Sequence, residues 1–246
     1  MLIAACMELR RIAGPILGVA LISSIGWAGV GVHAGKYLAK GAGGTLIIDS
    51  AKAGALQFTI NSTGSNGHTC TLSGEIRAGA TRASVPTEEG EKPCIVVFRE
   101  VAQGISVETP DTDSCRYFCG ARASFDQAYD KVDAKCWPKA VRERRAEFKR
   151  AYGKKDFVVA RERLDSVLTD CKDYLDEFDR YRMLNDLAIT LHHLGDDVGC
   201  LKALEPMAEL AATPDEEYAN DPTWEAEQSL KIARATRTNQ QLCKVR

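Results

Sequence analysis

Leu56-Gln57-Phe58-Thr59-Ile60 alternates apolar and polar side chains. A period of two sends Leu56, Phe58 and Ile60 to one face of an extended strand and Gln57 and Thr59 to the other, so one face is buried and one is wet. Outward from this stretch, similar short runs recur at residues 45–48, 68–76, 94–98 and 105–108. Turn-forming residues separate them: Lys52-Ala53-Gly54, Gly64-Ser65-Asn66-Gly67, residues 87–93, and Ala102-Gln103-Gly104. The pattern predicts an antiparallel β-meander over residues 35–130, curled into a small barrel or flattened into a sandwich to cover its edges.

Beyond Cys136 the period becomes helical. Pro138 opens a first helix, where its missing N–H costs nothing, and Val141, Phe148 and Tyr152 mark its buried face. Arg142, Glu143, Arg144, Arg145 and Glu147 read as a solvated helix surface. A second helix starts at Asp156, with Phe157, Ala160, Leu164, Val167 and Leu168 at helical spacing. Leu187, Ala188, Leu191, Gly195, Cys200, Leu204 and Met207 mark a third and a fourth helix, and Pro206 should kink or shorten the fourth. A fifth begins at Pro222 and runs through Trp224, Leu230 and Ala233 towards Leu242. The predicted class is α+β, with an all-α stack of helical hairpins over residues 136–246 and a short linker over residues 130–135.

The N-terminus reads as a secretory signal over residues 1–34, because Arg10 and Arg11 precede an uncharged run over residues 12–32 that ends in small residues. Cleavage is expected after Ala34, with Ala28 as the alternative. The run is long enough for a membrane anchor, but its glycines and Pro15 make it a poor one. No stable membrane span is therefore expected after cleavage. Cys6 precedes the charged and apolar regions, whereas a lipoprotein acceptor cysteine follows them. The whole chain carries a formal charge of −2, with no concentrated basic surface, which argues against a nucleic-acid partner.

Eight of the 9 cysteines follow the leader. An even number in an exported chain favours full pairing in an oxidising compartment, periplasmic or secreted. Four fall in each half. With hairpins near Pro86 and Ala102, Cys94 lies where Cys115 begins the return, so Cys94–Cys115 and Cys70–Cys119 are preferred. In antiparallel helices Cys136 and Cys171 share one end, and Cys200 and Cys243 share the other. Pairing Cys171 with Cys200 would have to cross a helix length of roughly 20 Å, beyond disulfide reach.

Sites of chemistry are sparse. Cys115 and Cys119 with His68 and Cys70 resemble a ligand set, but zinc sites use tighter knuckles and oxidation removes the thiolates. His192 and His193 project about 100° apart, and His192 with Asp196 supplies only two ligands, so this cluster reads as a polar helix end. Asp49, Glu75 and Glu108 are scattered, and Ser73 before Gly74 lacks the flanks of a nucleophile elbow. No catalytic residue, metal site or cofactor is predicted.

The pattern Asn66-Gly67-His68-Thr69-Cys70, Gly74, Cys94, Cys115-Arg116-Tyr117-Phe118-Cys119-Gly120-Ala121-Arg122-Ala123-Ser124-Phe125 and Tyr129 resembles the small β domain of exported bacterial proteins of the lysozyme-inhibitor, LprI type. The helical half resembles two degenerate tetratricopeptide repeats plus a terminal helix. Its alignment points, Ala160 and Cys200, lie 40 residues apart against the usual ~34, so residues 171–179 must absorb an insertion. These resemblances imply a non-enzymatic protein-binding protein with a protein or peptide partner. The lysozyme-inhibitor resemblance further implies that this partner is a cell-wall hydrolase or toxin, with the chain expected to inhibit it or confer immunity against it. A structural adaptor in envelope assembly and an unrecognised hydrolase are the alternatives. Arg116 and Arg122 are the candidate partner-binding residues, facing an acidic cleft or else bracing the disulfide loop.

Overall fold

Eight strands form one sheet in the computed structural model, which describes residues 31–244. They are β1 (Gly35–Ala39), β2 (Gly44–Ser50), β3 (Leu56–Thr63), β4 (Thr69–Ile76), β5 (Arg82–Val85), β6 (Cys94–Val101), β7 (Gly104–Glu108) and β8 (Gln127–Lys131). Their order in the sheet is β4-β3-β2-β1-β8-β7-β6-β5, all antiparallel. The expected single meander is therefore two meanders joined by the first and last strands, with Tyr37 opposite Lys131 and Leu38 opposite Asp130. The sheet curls into a near-barrel around Phe58, Ile60, Leu72, Phe98, Val107 and Tyr129, and the Phe58 and Phe98 rings meet edge to face at 5.0 Å. Burial pushes the Tyr129 phenol up to about 12.

Three strands escape the sequence pattern. In β1, Tyr37, Leu38 and Ala39 are buried consecutively, without alternation. β5 has only 4 residues. β8 carries a buried Asp130, so a segment read as linker is sheet up to Lys131. Of the expected leader, residues 1–30, with the alternative cut after Ala28, lie outside the described residues. Within residues 31–34, Val32 packs against the barrel core and the His33 carbonyl accepts a hydrogen bond from the Tyr37 hydroxyl at 3.0 Å.

A short helix α1 (Thr112–Cys115) belongs to the β half. The helical half comprises α2 (Pro138–Gly153), α3 (Phe157–Asp170), α4 (Glu177–His193), α5 (Asp197–Leu204), α6 (Ala208–Ala212), α7 (Asp215–Ala219) and α8 (Trp224–Leu242). Pro206 acts as expected: α5 stops at Leu204, a 3-10 turn follows, and α6 resumes at Ala208. The last helix begins at Trp224 and not at Pro222, because the Thr223 hydroxyl caps it by accepting from the Ala226 N–H. Part of the charged run on α2 is not solvated as expected. Arg144 donates to Ser166 of α3 at 3.3 Å, and Arg145 pairs with Asp179 of α4 at 3.1 Å, so both side chains tie helices together.

The α2–α3 and α4–α5 connections are one motif used twice. Asp156 N–H donates to the Ala151 carbonyl at 3.0 Å, and 40 residues on, Asp196 N–H donates to the Leu191 carbonyl at 2.9 Å. Each aspartate then caps the following helix, accepting from Val159 N–H and Gly199 N–H respectively. Buried Ala160, Leu164 and Val167 recur as Cys200, Leu204 and Met207. The added length between the repeats forms a 3-10 turn, Lys172–Tyr174, whose Tyr174 hydroxyl donates to Asp130 of β8 at 3.1 Å.

Disulfides join Cys70 to Cys119, Cys94 to Cys115, Cys136 to Cys171 and Cys200 to Cys243. The two halves keep separate hydrophobic cores. They also touch where the Lys36 ammonium lies 5.9 Å from the centre of the Trp137 ring.

The two equivalent turns carry different residue types at their left-handed position. The left-handed residue is Gly195 (φ 82°) in one and Lys155 (φ 61°) in the other. A left-handed backbone costs an L-residue roughly 1–2 kcal/mol, partly offset by the entropy glycine loses on folding. Lys155→Gly is expected to raise the unfolding free energy by about 0.5–1 kcal/mol, and Gly195→Lys to lower it comparably, as measured by urea denaturation of the oxidised chain.

Candidate functional site

Two disulfides grip a single excursion of chain between β7 and β8. Cys115 ends α1 and is bonded to Cys94 at the start of β6. A 3-10 turn, Arg116–Phe118, carries the chain to Cys119, which is bonded to Cys70 of β4 and pairs with it as an antiparallel bridge. Gly120 N–H then donates to the Thr69 carbonyl at 2.9 Å. Further on, Phe125 is buried in the barrel core, and Asp126 accepts from the Thr109 hydroxyl at 2.6 Å, the Ser124 hydroxyl at 2.7 Å and the Thr109 N–H. Ser62 of β3 donates to the Ser124 carbonyl at 2.6 Å. The loop is thus tied to β3, β4 and β6.

The loop held in this way turns part of its surface outward. Phe118 turns towards the core, while Tyr117 is 59% exposed and stands edge-on to the Phe118 ring at 5.0 Å. Arg116 and Arg122, the residues singled out in the sequence, are both exposed on this loop. Tyr117 between them had no periodic signature and was missed, although a tyrosine enclosed by two close cysteines is itself a signal. Asp111, which precedes α1, is held below the usual carboxylate range, chiefly by the Ser114 hydroxyl. The loop surface therefore combines an aromatic ring and guanidinium groups, residue types enriched at protein contacts, with an anion nearby.

The remaining sequence candidates do not converge on one site. His68 abuts Gly120, but the cysteines that would complete a metal set are joined as disulfides. Among the described residues no group of three or more His, Cys, Asp and Glu side chains is arranged to hold a metal ion. His192 pairs with Asp197 at 2.8 Å and not with Asp196, because Asp196 caps α5. His193 meets the Tyr152 hydroxyl at 3.2 Å and stacks on Phe157 at 4.4 Å. Glu108 pairs with Arg99 at 2.8 Å.

On the helical half a polar chain crosses from α2 to α8. Asp179 bridges Arg145 and Arg182, at 3.1 and 2.9 Å, and Arg182 donates to Gln228 at 2.6 Å. Buried Asn185 donates to Thr236 at 3.1 Å and accepts from Asn239 at 2.9 Å. Asp186 lines a cavity of about 280 Å³ with Phe148, Tyr152 and Ile189. Burial pushes its carboxyl up, while Arg145 and Lys149 pull it back. Val158 and Val198, equivalent in the two repeats, are 58% and 81% exposed.

No family model matches the chain, and neither the curated proteins nor the solved structures include a match. No described helix is long and apolar enough to cross a membrane.

A Cβ at Gly64 would lie 1.9 Å from the Arg122 carbonyl oxygen. Gly64→Ala is therefore expected to displace the loop and cost about 1–3 kcal/mol, whereas Tyr117→Ala changes stability by no more than about 0.5 kcal/mol; thermal unfolding of the oxidised proteins checks both. Asp186 holds its proton more tightly in the native than in the unfolded state, so it makes stability rise as pH falls through its raised pKa. Asp186→Asn should remove that rise in urea titrations run across the acid range, without lowering stability at pH 7.

Proposed function

We propose that this chain is an exported, non-enzymatic protein-binding protein that inhibits, or confers immunity against, a cell-wall hydrolase or toxin in an oxidising compartment. The observation that carries the reading is the doubly disulfide-stapled loop. It presents exposed Arg116, Tyr117 and Arg122 from a barrel that holds its ends at Cys94 and Cys70. A loop ordered before binding loses little entropy on contact, which is how rigid inhibitors gain affinity. Arginines beside an exposed tyrosine suit the acidic cleft of a glycan hydrolase. Periplasmic or secreted location is supported by the charged and apolar leader together with four disulfides.

The adaptor reading is favoured by one separate observation: Val158 and Val198, at the same place in the two repeats, each expose an apolar side chain. The two readings part in one experiment. The exported, oxidised chain is titrated into a turbidity assay with a panel of muramidases, lytic transglycosylases and amidases. The inhibitor reading expects stoichiometric inhibition of one class, weakened at least about tenfold by the Arg116→Ala, Tyr117→Ala double variant, the loss of about 1.4 kcal/mol or more. Full activity of every hydrolase at saturating protein would reject it.

A further inference from the structure

The cut expected after Ala34 would fall inside a folded contact. Tyr37 of β1 is 4% exposed, and its hydroxyl donates to the His33 carbonyl at 3.0 Å, so residues on the two sides of the Ala34–Gly35 bond hold one another. The strand makes room for this. A Cβ at Gly35 would lie 2.8 Å from the Tyr37 hydroxyl oxygen, so the ring leans back over a residue that has no side chain. Val32 packs against the barrel core, and Gly31 and His33 line a cavity of about 640 Å³ together with Tyr37, Glu100 and Ile105. Residues from Gly31 onward belong to the same compact unit as the barrel.

The sequence before Gly31 offers a cut that spares these contacts. Arg10 and Arg11 are followed by an uncharged, largely apolar stretch of 11 residues, 12–22, which Ser23 and Ser24 close. A signal core is about 7–15 residues long and ends shortly before its cleavage site. Ala28 stands four residues beyond Ser24, and Ala34 stands ten. Gly26 and Ala28 also supply the small residues wanted at the third and first positions before the cut, where the later site has the larger Val32 at the third.

We infer that the leader is cleaved between Ala28 and Gly29, and that residues 31–34 stay with the mature protein as packed parts of the barrel. Signal peptidase adds water across this amide. The water oxygen goes to the Ala28 carbonyl carbon, leaving a carboxylate, and its two protons go to the Gly29 nitrogen, leaving an ammonium. Both candidate bonds are Ala–Gly, so the chemistry is the same at either, and the fold separates them. A cut after Ala34 removes the acceptor of the Tyr37 hydroxyl and takes Val32 off the core, whereas a cut after Ala28 disturbs neither. The inference rests on the reading of the chain as exported, and it replaces the expected cut after Ala34 with the alternative.

The test is export of the full chain by a bacterium with its own signal peptidase, then N-terminal sequencing and intact mass of the exported, oxidised protein. Gly29 is expected as the first residue, and Ala28→Leu should block processing while Ala34→Leu leaves it unchanged. Any other first residue, Gly35 above all, overturns the inference and leaves the export reading standing; a chain that is never cleaved sinks both. Deleting residues 29–34 from the full chain joins Ala28 to Gly35 and yields an exported protein that starts at Gly35. Its thermal midpoint should lie at least about 3 °C below that of the intact product. Tyr37→Phe should lower the midpoint of the intact product and not that of the shortened one. Val32→Ser in the intact product reads the core contact without a deletion and should lower the midpoint as well. Equal midpoints for the intact, shortened and Val32→Ser proteins overturn the assignment of residues 31–34 to the fold.

Discussion

The pairing of β1 with β8 is the contact on which the rest of the β half depends. Each meander by itself is a four-stranded sheet with two open edges, too small to bury Phe58, Phe98 and Tyr129. Joining the first strand to the last turns them into one curled sheet. It also brings the chain back to where it began, so that Lys36 and Trp137 meet and the helical half starts beside the barrel. Asp130 sits at this junction, only 7% exposed, and its burial is tolerable because the Tyr174 hydroxyl donates to it from the helical half.

Disulfides then act on two small cores that would be marginal alone. In the helical half they clamp opposite ends: Cys136–Cys171 closes the first hairpin, and Cys200–Cys243 fastens the terminal helix to the second. Each limits the unfolded chain by roughly 3–4 kcal/mol in the chain-entropy view. In the β half they have a further consequence, because both bonds converge on one loop. The barrel thereby holds Arg116 and Tyr117 between two fixed points, Cys115 and Cys119.

The duplicated turn shows how a repeat can survive change in its residues. Ala160 and Cys200 differ in chemistry, as do Lys155 and Gly195, yet the caps at Asp156 and Asp196 and the buried apolar positions coincide. The insertion between the repeats supplies Tyr174, so the departure from strict periodicity is what meets the barrel.

The sequence by itself determined the division into a strand-like and a helix-like half, the five strands whose runs alternate or are rich in β-branched residues, the helix starts at Pro138 and Asp156, and the break at Pro206. These are local: periodicity, caps and proline act within a few residues. It also carried the cysteine pairing, because antiparallel neighbours bring particular ends together. Only the tertiary structure decided β1 and β8, whose burial comes from pairing across most of the barrel. It likewise decided the inward turn of Arg144 and Arg145 and the choice of Asp197 over Asp196 as the partner of His192. Each depends on a neighbour distant in sequence, and no local period encodes where such a neighbour arrives.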